Sequence, residues 1–227
     1  MMLMARDDAF AKFIHHDAAV MVIAQLGQSL DGRIATPTGS SKYINGTGAL
    51  DHLHRLRASV DAVIVGVATV IADDPLLTVR RVPGRNPARI IIDPNGRMPH
   101  SARLLHDGAA PVYVIRSGCT EPVPGARVVT MESNGQGCCP RAILRVLAEM
   151  GLRRVLVEGG AYTVSRFIEA GAVDRLHLLV APVILGSGKP GLALPPIDRL
   201  SEAMRPKTRV VPLEGGDVLF DCDLRQT

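Results

Sequence analysis

With 227 residues, 47% of them hydrophobic and 21% charged, the chain has the composition of an ordinary folded protein, and no apolar run approaches the roughly 20 residues of a membrane-spanning helix. Aromatic residues make up only 3%, with no tryptophan, and the 26 basic and 22 acidic side chains are interspersed to a net charge of +4. Few platforms for stacked bases and no basic run argue against nucleic acid, whereas isolated arginines suit an anionic small molecule.

The N-terminal segment places acids before a short apolar stretch and lacks a secretory pattern, so residues 1–17 are expected to form a loose arm on a cytoplasmic protein, with His15 and His16 solvated. Residues 18–27 then read as a strand buried on both faces, closed by a turn at Ser29-Leu30-Asp31-Gly32. In the following segment Leu50, Leu53, Leu56 and Val60 recur on one face, which predicts an amphipathic helix with Arg55 and Arg57 elsewhere around its axis. A buried strand over 60–66 and a short helix stopped by Pro75 begin a βαβ rhythm.

Strands over 88–93, 111–116 and 127–131 continue the rhythm. Pro140 opens a helix that Gly151 closes, a strand runs into Gly159-Gly160, and a second helix follows. A long strand over 174–186 and two antiparallel strands near the C-terminus complete the pattern. The chain reads as one α/β domain over 18–227, with a mostly parallel sheet of about eight strands and four helices.

Several residues have the chemistry of a site. Gly159-Gly160, between strand and helix, fits either an anion cradle at a helix N-terminus or tight βα packing. Glu158 ends its strand on the edge where open α/β sheets bind ligands, and a solvated glutamate fits that position equally well. Asp73-Asp74-Pro75 offers a carboxylate pair or simply a turn. Arg57 and Arg80 could converge on a phosphate. Ser41 and Thr69 lack a histidine base, and no G-x-S-x-G elbow occurs. Cys119, Cys138, Cys139 and Cys222 have neither zinc nor redox spacing, so reduced thiols and no metal are expected.

The ordered set SLDGR (29–33), TGSSKYIN (38–45), LRASVDAVIVGVATVIADDPLLTVR (56–80), NPARIIID (86–93), VEGG (157–160) and GAVDRLHLLVAPVILGSG (171–188) closely resembles the pyrimidine reductases of riboflavin biosynthesis. That family, the C-terminal half of the bifunctional deaminase-reductases and also a stand-alone protein, has a dihydrofolate-reductase-like fold. The resemblance implies NADPH-dependent reduction of the ribosyl group of 5-amino-6-(5-phosphoribosylamino)uracil, or of its 2,5-diamino-pyrimidinone precursor, to a ribitylamino product. It implies Ser41, Arg57, Leu77, Arg80 and Glu158 on the substrate. Gly27, Tyr43, Thr69, Asp73 and the turn and helix Gly159, Gly160, Ala161, Tyr162, Thr163 through Arg166 would receive NADPH.

Asp73 and Glu158 are the expected catalytic residues, with Asp73 orienting C1′. Three positions depart from the family pattern: Gln25 replaces a usual Lys, Tyr43 a common Trp, and Pro94 a frequent Ser, which leaves Arg97 or Arg116 to read the cofactor's 2′-phosphate. The deaminase zinc pattern is absent, so a reductase alone is expected, as a homodimer. Another pterin-like substrate, or a nucleotide binder without turnover, are the alternatives.

Overall fold

The computed structural model describes residues 20–132 and 137–225; the expected arm, with His15 and His16, and the first residues of the strand placed at 18–27 lie outside them. In chain order the elements are β1 (Met21–Ser29), β2 (Arg33–Ala35), α1 (Thr47–Ser59), β3 (Ala62–Gly66), α2 (Val67–Asp73), β4 (Ala88–Ile92), β5 (Val112–Arg116), β6 (Arg127–Thr130), α3 (Pro140–Glu149), β7 (Arg154–Val157), α4 (Ala161–Glu169), β8 (Arg175–Ala181), β9 (Lys189–Pro190), β10 (Lys207–Pro212) and β11 (Val218–Asp223).

Among the described residues, nine strands form one sheet in the order β10-β11-β8-β1-β7-β3-β4-β5-β6. From β8 to β6 the neighbours are parallel, and β11 and β10 add antiparallel pairs at one edge. The β1 to β3 connection through α1 moves one way along the sheet, while the connections through α3 and α4 return the other way. With right-handed crossovers, helices therefore cover both faces. Strand alternation supplies the two cores. Val22, Ala24 and Leu26 face Ile143, Leu147, Val164 and Phe167 on one side, and Ile23, Val63 and Val65 face Leu56, Val67 and Val70 on the other.

The structure departs from the sequence reading at three elements. The helix α1 buries most of its expected apolar face, with Leu56 and Val60 in the core and Leu53 packed against it, but Leu50 is 38% exposed and the helix also buries Gly48, Ala49, His52, His54 and Arg57. The polar side chains among these have specific partners, described below. The long strand expected over 174–186 stops at Ala181, because Pro182 brings no N–H to the ladder and the chain turns toward Asp31, whose carboxylate accepts from Leu185 N (3.1 Å) and Gly186 N (2.7 Å). The small β2–β9 sheet was not anticipated, since strands of three and two residues carry no periodic signal.

Gly48, in the first turn of α1, packs directly on the backbone of Glu214, and a Cβ there would collide with the Glu214 carbonyl. Gly48→Ala is therefore expected to destabilise by about 1–3 kcal/mol despite the helix propensity gained. A lowered denaturant midpoint is the expected readout; an unchanged or raised one would show that the hairpin yields freely.

Candidate active site

The strand order reverses where β7 lies between β1 and β3, and ligands in open α/β sheets bind outside the carboxyl ends of strands at such a point. A cavity of about 700 Å³ opens there. Its floor is Gln25, Leu26 and Gly27 from β1 and Val65 from β3. One wall is Glu158, Gly159 and Gly160 after β7, and another is Leu50, Leu53 and Arg57 of α1 with Thr69 and Asp73 of α2. The loop carrying Ser41, Lys42 and Tyr43 closes the side, and Leu77 and Lys189 complete it.

Arg57 and Glu158 form a buried, bidentate pair across this wall: Nε donates to Oε1 at 2.7 Å and Nη2 to Oε2 at 2.6 Å. Nη1 donates to the Thr78 carbonyl at 3.2 Å. Burial works against the Arg57 charge, but Glu158 more than offsets it and raises the pKa above its ordinary value. Glu158 is thus no solvated loop residue; it is the counter-ion of the arginine predicted to hold phosphate, and the fork of Arg57 is committed to it. Lys42 and Lys189, which no local pattern singles out, bring two further cations to the wall.

The two aspartates do not act as a pair. Asp74 adopts a left-handed conformation (φ 41°) and turns to Arg103, accepting from its backbone N at 2.9 Å, while Asp73 alone lines the cavity. Three non-glycine residues among those described have positive φ: Tyr43 (69°), Asp74 and Leu77 (57°). Two line the cavity and the third is next to Asp73. Strained backbone of this kind persists where surrounding contacts over-determine it, commonly at ligand sites.

The glycine pair is built for close approach. Gly159 has φ 100°, a Cβ on it would stand 2.9 Å from the Thr69 hydroxyl, and Gly160 N donates to that hydroxyl at 3.3 Å. Gly160 is the N-cap of α4 and no side chain caps the helix, so the positive end of α4 lies beside the glycine pair. A Cβ on Gly159 would run into Thr69, whereas one on Gly160 would meet only the Thr69 hydroxyl, at 3.8 Å, so the space beside Gly160 at the start of α4 is open to an anionic group of the kind a nucleotide carries. Ala161, Tyr162 and Thr163 continue along α4 outside the cavity wall; Thr163 packs under Gly66 and Tyr162 is exposed, 5.9 Å from the Arg166 guanidinium. Arg80 also lies off the wall, its Nη1 donating to the Thr78 hydroxyl at 2.8 Å.

Arg116 cannot read a 2′-phosphate as expected, because it is 2% exposed, donates to the Glu121 carbonyl at 2.6 Å and faces the buried Asp93 at 3.6 Å. Arg97 remains exposed in the turn whose amide, at 2.8 Å, is held by Asp93.

Sequence reasoning also missed a buried polar stack behind the floor. In register, Gln25 of β1 pairs with His177 of β8, which pairs with Asp221 of β11. His52 of α1 meets His177 at 3.0 Å, and His177 meets Asp221 at 3.2 Å. Burial would raise the Asp221 pKa, yet His177 and Arg175 beside it hold the carboxyl far below the ordinary range.

His54 accepts the Arg80 amide at 3.0 Å, and burial together with the charges of Arg57 and Arg80 lowers its pKa from 6.5 to about 4. It folds neutral, whereas the unfolded chain takes up the proton below pH 6.5. This share of stability is therefore complete above pH 6.5 and lost as pH falls toward about 4. His54→Asn, which retains an acceptor near the Nδ1 position, is expected to flatten stability over that window in acid titrations of denaturant midpoint. An equally steep variant would place the titration elsewhere.

A doubly wound, mostly parallel sheet with a glycine cradle and a paired arginine at its switch point defines an α/β protein that takes a small ligand at its strand ends. The model of the RibD C-terminal domain matches residues 20–209, and the chain belongs to that family, a family of reductases with the dihydrofolate-reductase-like architecture. It is 36% identical over 217 residues to the 2,5-diamino-6-ribosylamino-4(3H)-pyrimidinone 5′-phosphate reductase of Methanothermobacter thermautotrophicus, covering 90% of this chain and 98% of that one. It is 41% identical over 167 residues to the riboflavin biosynthesis protein RibD of Aquifex aeolicus, covering 71% of this chain and 46% of the relative. The crystal structure of a Thermotoga maritima diaminohydroxyphosphoribosylaminopyrimidine deaminase/5-amino-6-(5-phosphoribosylamino)uracil reductase superposes with a TM-score of 0.75 at 30% identity, over 90% of this chain and 56% of that one. The chain thus spans about half the length of the Aquifex and Thermotoga proteins and nearly all of the Methanothermobacter reductase.

Proposed function

We propose that residues 18–227 act as one reductase domain that uses NADPH to convert the ribosyl group of 5-amino-6-(5-phosphoribosylamino)uracil to its ribitylamino form. The 2,5-diamino-pyrimidinone phosphate is the second reading, favoured by the match over 98% of the archaeal reductase. The observation that carries the proposal is the single cavity shared by the glycine cradle and the Arg57–Glu158 pair, at the switch point of a chain in a reductase family.

Gly27, Tyr43, Thr69, Asp73 and the Gly159–Thr163 turn and helix would hold NADPH, with the α4 N-terminus at its pyrophosphate. The chemistry supplied by a nicotinamide bound there is hydride donation to C1′ of the opened sugar. Ser41, Leu77 and the Arg57–Glu158 pair position the substrate, with the bidentate pair held in one orientation, and Arg80, which is bonded to Thr78 off the cavity wall, would have to turn toward the cavity to join them. Asp73, free of the Arg103 contact that holds its neighbour, orients C1′ through a hydrogen bond or a water. Catalysis rests mainly on placing two carbons together in a cleft with little water, for which proximity matters more than a strong base. A cytoplasmic homodimer completes the proposal. NADPH oxidation in the presence of each pyrimidine phosphate, with NADH and dihydrofolate as controls, is the test. Oxidation with either pyrimidine supports the reading, and none with both overturns it.

A further inference from the structure

We propose that Asp217, in the turn between β10 and β11, is a positioning residue that holds the cavity loop 41–46 and caps α1 from 171 residues away in the chain. The helix α1 starts without help of its own: its N-cap is Gly46, no side chain caps it, and its first turn contains no acid. The carboxylate of Asp217, 1% exposed, fills that place. Its Oδ2 accepts the Gly46 amide at 2.6 Å, and its Oδ1 accepts Asn45 Nδ2 at 3.1 Å. A buried carboxylate is stable there because two N–H donors and the positive end of a helix face it.

Asn45 carries the hold into the site. The same Nδ2 reaches the Leu179 carbonyl at 3.4 Å, and the amide oxygen lies where any side chain at Gly27 would stand. Asn45 is thus wedged between the floor of the cavity and Asp217, and the backbone just before it carries Tyr43 at φ 69° with 91% of its surface exposed. An exposed ring on strained backbone has little packing of its own to hold it. The fixed point for Ser41, Lys42 and Tyr43 is Asp217, with the Gly48–Glu214 backbone contact beside it. The C-terminal hairpin therefore sets the shape of a wall made by an N-terminal loop.

The consequence for turnover rests on the reductase reading above; the consequence for the loop does not. Asp217→Asn keeps the shape but sets an amide donor against one of two donors, and Asn45→Ala removes the bonds to Asp217 and to the Leu179 carbonyl while leaving the Gly46–Asp217 cap bond intact. Hydrogen exchange of the ligand-free protein is the first readout. The amides of residues 41–46 are expected to exchange at least tenfold faster in Asp217→Asn, with β3 and β4 unchanged, and Asn45→Ala is expected to give a smaller rise. Unchanged exchange in 41–46, or a rise spread evenly over the sheet, overturns the proposal. If Asp217→Asn does not fold, Asn45→Ala decides by the same criterion.

Kinetics then separates positioning from simple stability. KM is expected to rise about tenfold with a smaller change in kcat, and the effect of Asp217→Asn is expected to be largely absent in a Tyr43→Ala background, since both act through one loop. Independent, multiplicative effects in that cycle contradict the assignment. A wild-type protein without pyrimidine-dependent turnover defeats the reductase reading and leaves the exchange result to judge Asp217.

Discussion

Glu158→Ala is expected to lower stability by about 3–5 kcal/mol, because it strands the Arg57 guanidinium at 6% exposure with no counter-charge. Glu158→Gln keeps the volume and one acceptor and is expected to cost less, about 1–3 kcal/mol. A paired replacement, Arg57→Met with Glu158→Leu, removes both charges from the interior and is expected to recover most of the loss, since an apolar pair of similar size needs no desolvation. Activity should not return with it, because the fixed polar surface in the cavity has gone. Urea titrations and turnover on the same three proteins provide the check. A Glu158→Ala protein within about 1 kcal/mol of wild type would mean that water entering the cavity already serves Arg57.

Arg89→Ala is the second large effect, at about 3–5 kcal/mol. This β4 side chain is 1% exposed; its Nη1 donates to both oxygens of Asp107 at 2.8 Å and to the Leu76 carbonyl at 3.4 Å, and its Nη2 donates to the Ala110 carbonyl. Alanine opens a void under the strained turn at Leu77 and leaves the carbonyls without their donors. Arg89→Met fills the void, and Asp107, with 20% of its side chain exposed, can return to water, so the expected cost falls to about 1–3 kcal/mol. Denaturant midpoints of the two variants distinguish the contributions: equal losses would show that the charge pair outweighs packing.

Much of the fold was legible because its signals are local. The buried runs at β1, β3 and β4, Pro140 at the start of α3 and the positive-φ Gly151 after its end are read directly from residue type and spacing. What escaped depends on distant partners. On α1, apolar periodicity found the core positions Leu53, Leu56 and Val60 but does not register the polar contacts of the same helix, His52 with His177 and Arg57 with Glu158. The site divides in the same way. Gly159-Gly160, Glu158, Thr69 and Asp73 were visible as residue types, and the resemblance added Tyr43; all of them line the cavity. Lys189, Asn45 and Asp217 were invisible because no local pattern distinguishes them, and Arg116 was misassigned because sequence alone does not reveal that its guanidinium faces Asp93.

Hydride transfer from a nicotinamide to a sugar carbon in this cavity is read by following the hydrogen itself. NADPH deuterated on the transferring face of the nicotinamide is supplied with each ribosylaminopyrimidine phosphate, and the product is read by mass and by carbon NMR. One deuterium is expected, located on C1′ of a ribityl chain. Deuterium in the pyrimidine ring, or cofactor oxidation that leaves the sugar unlabelled and unreduced, would contradict it.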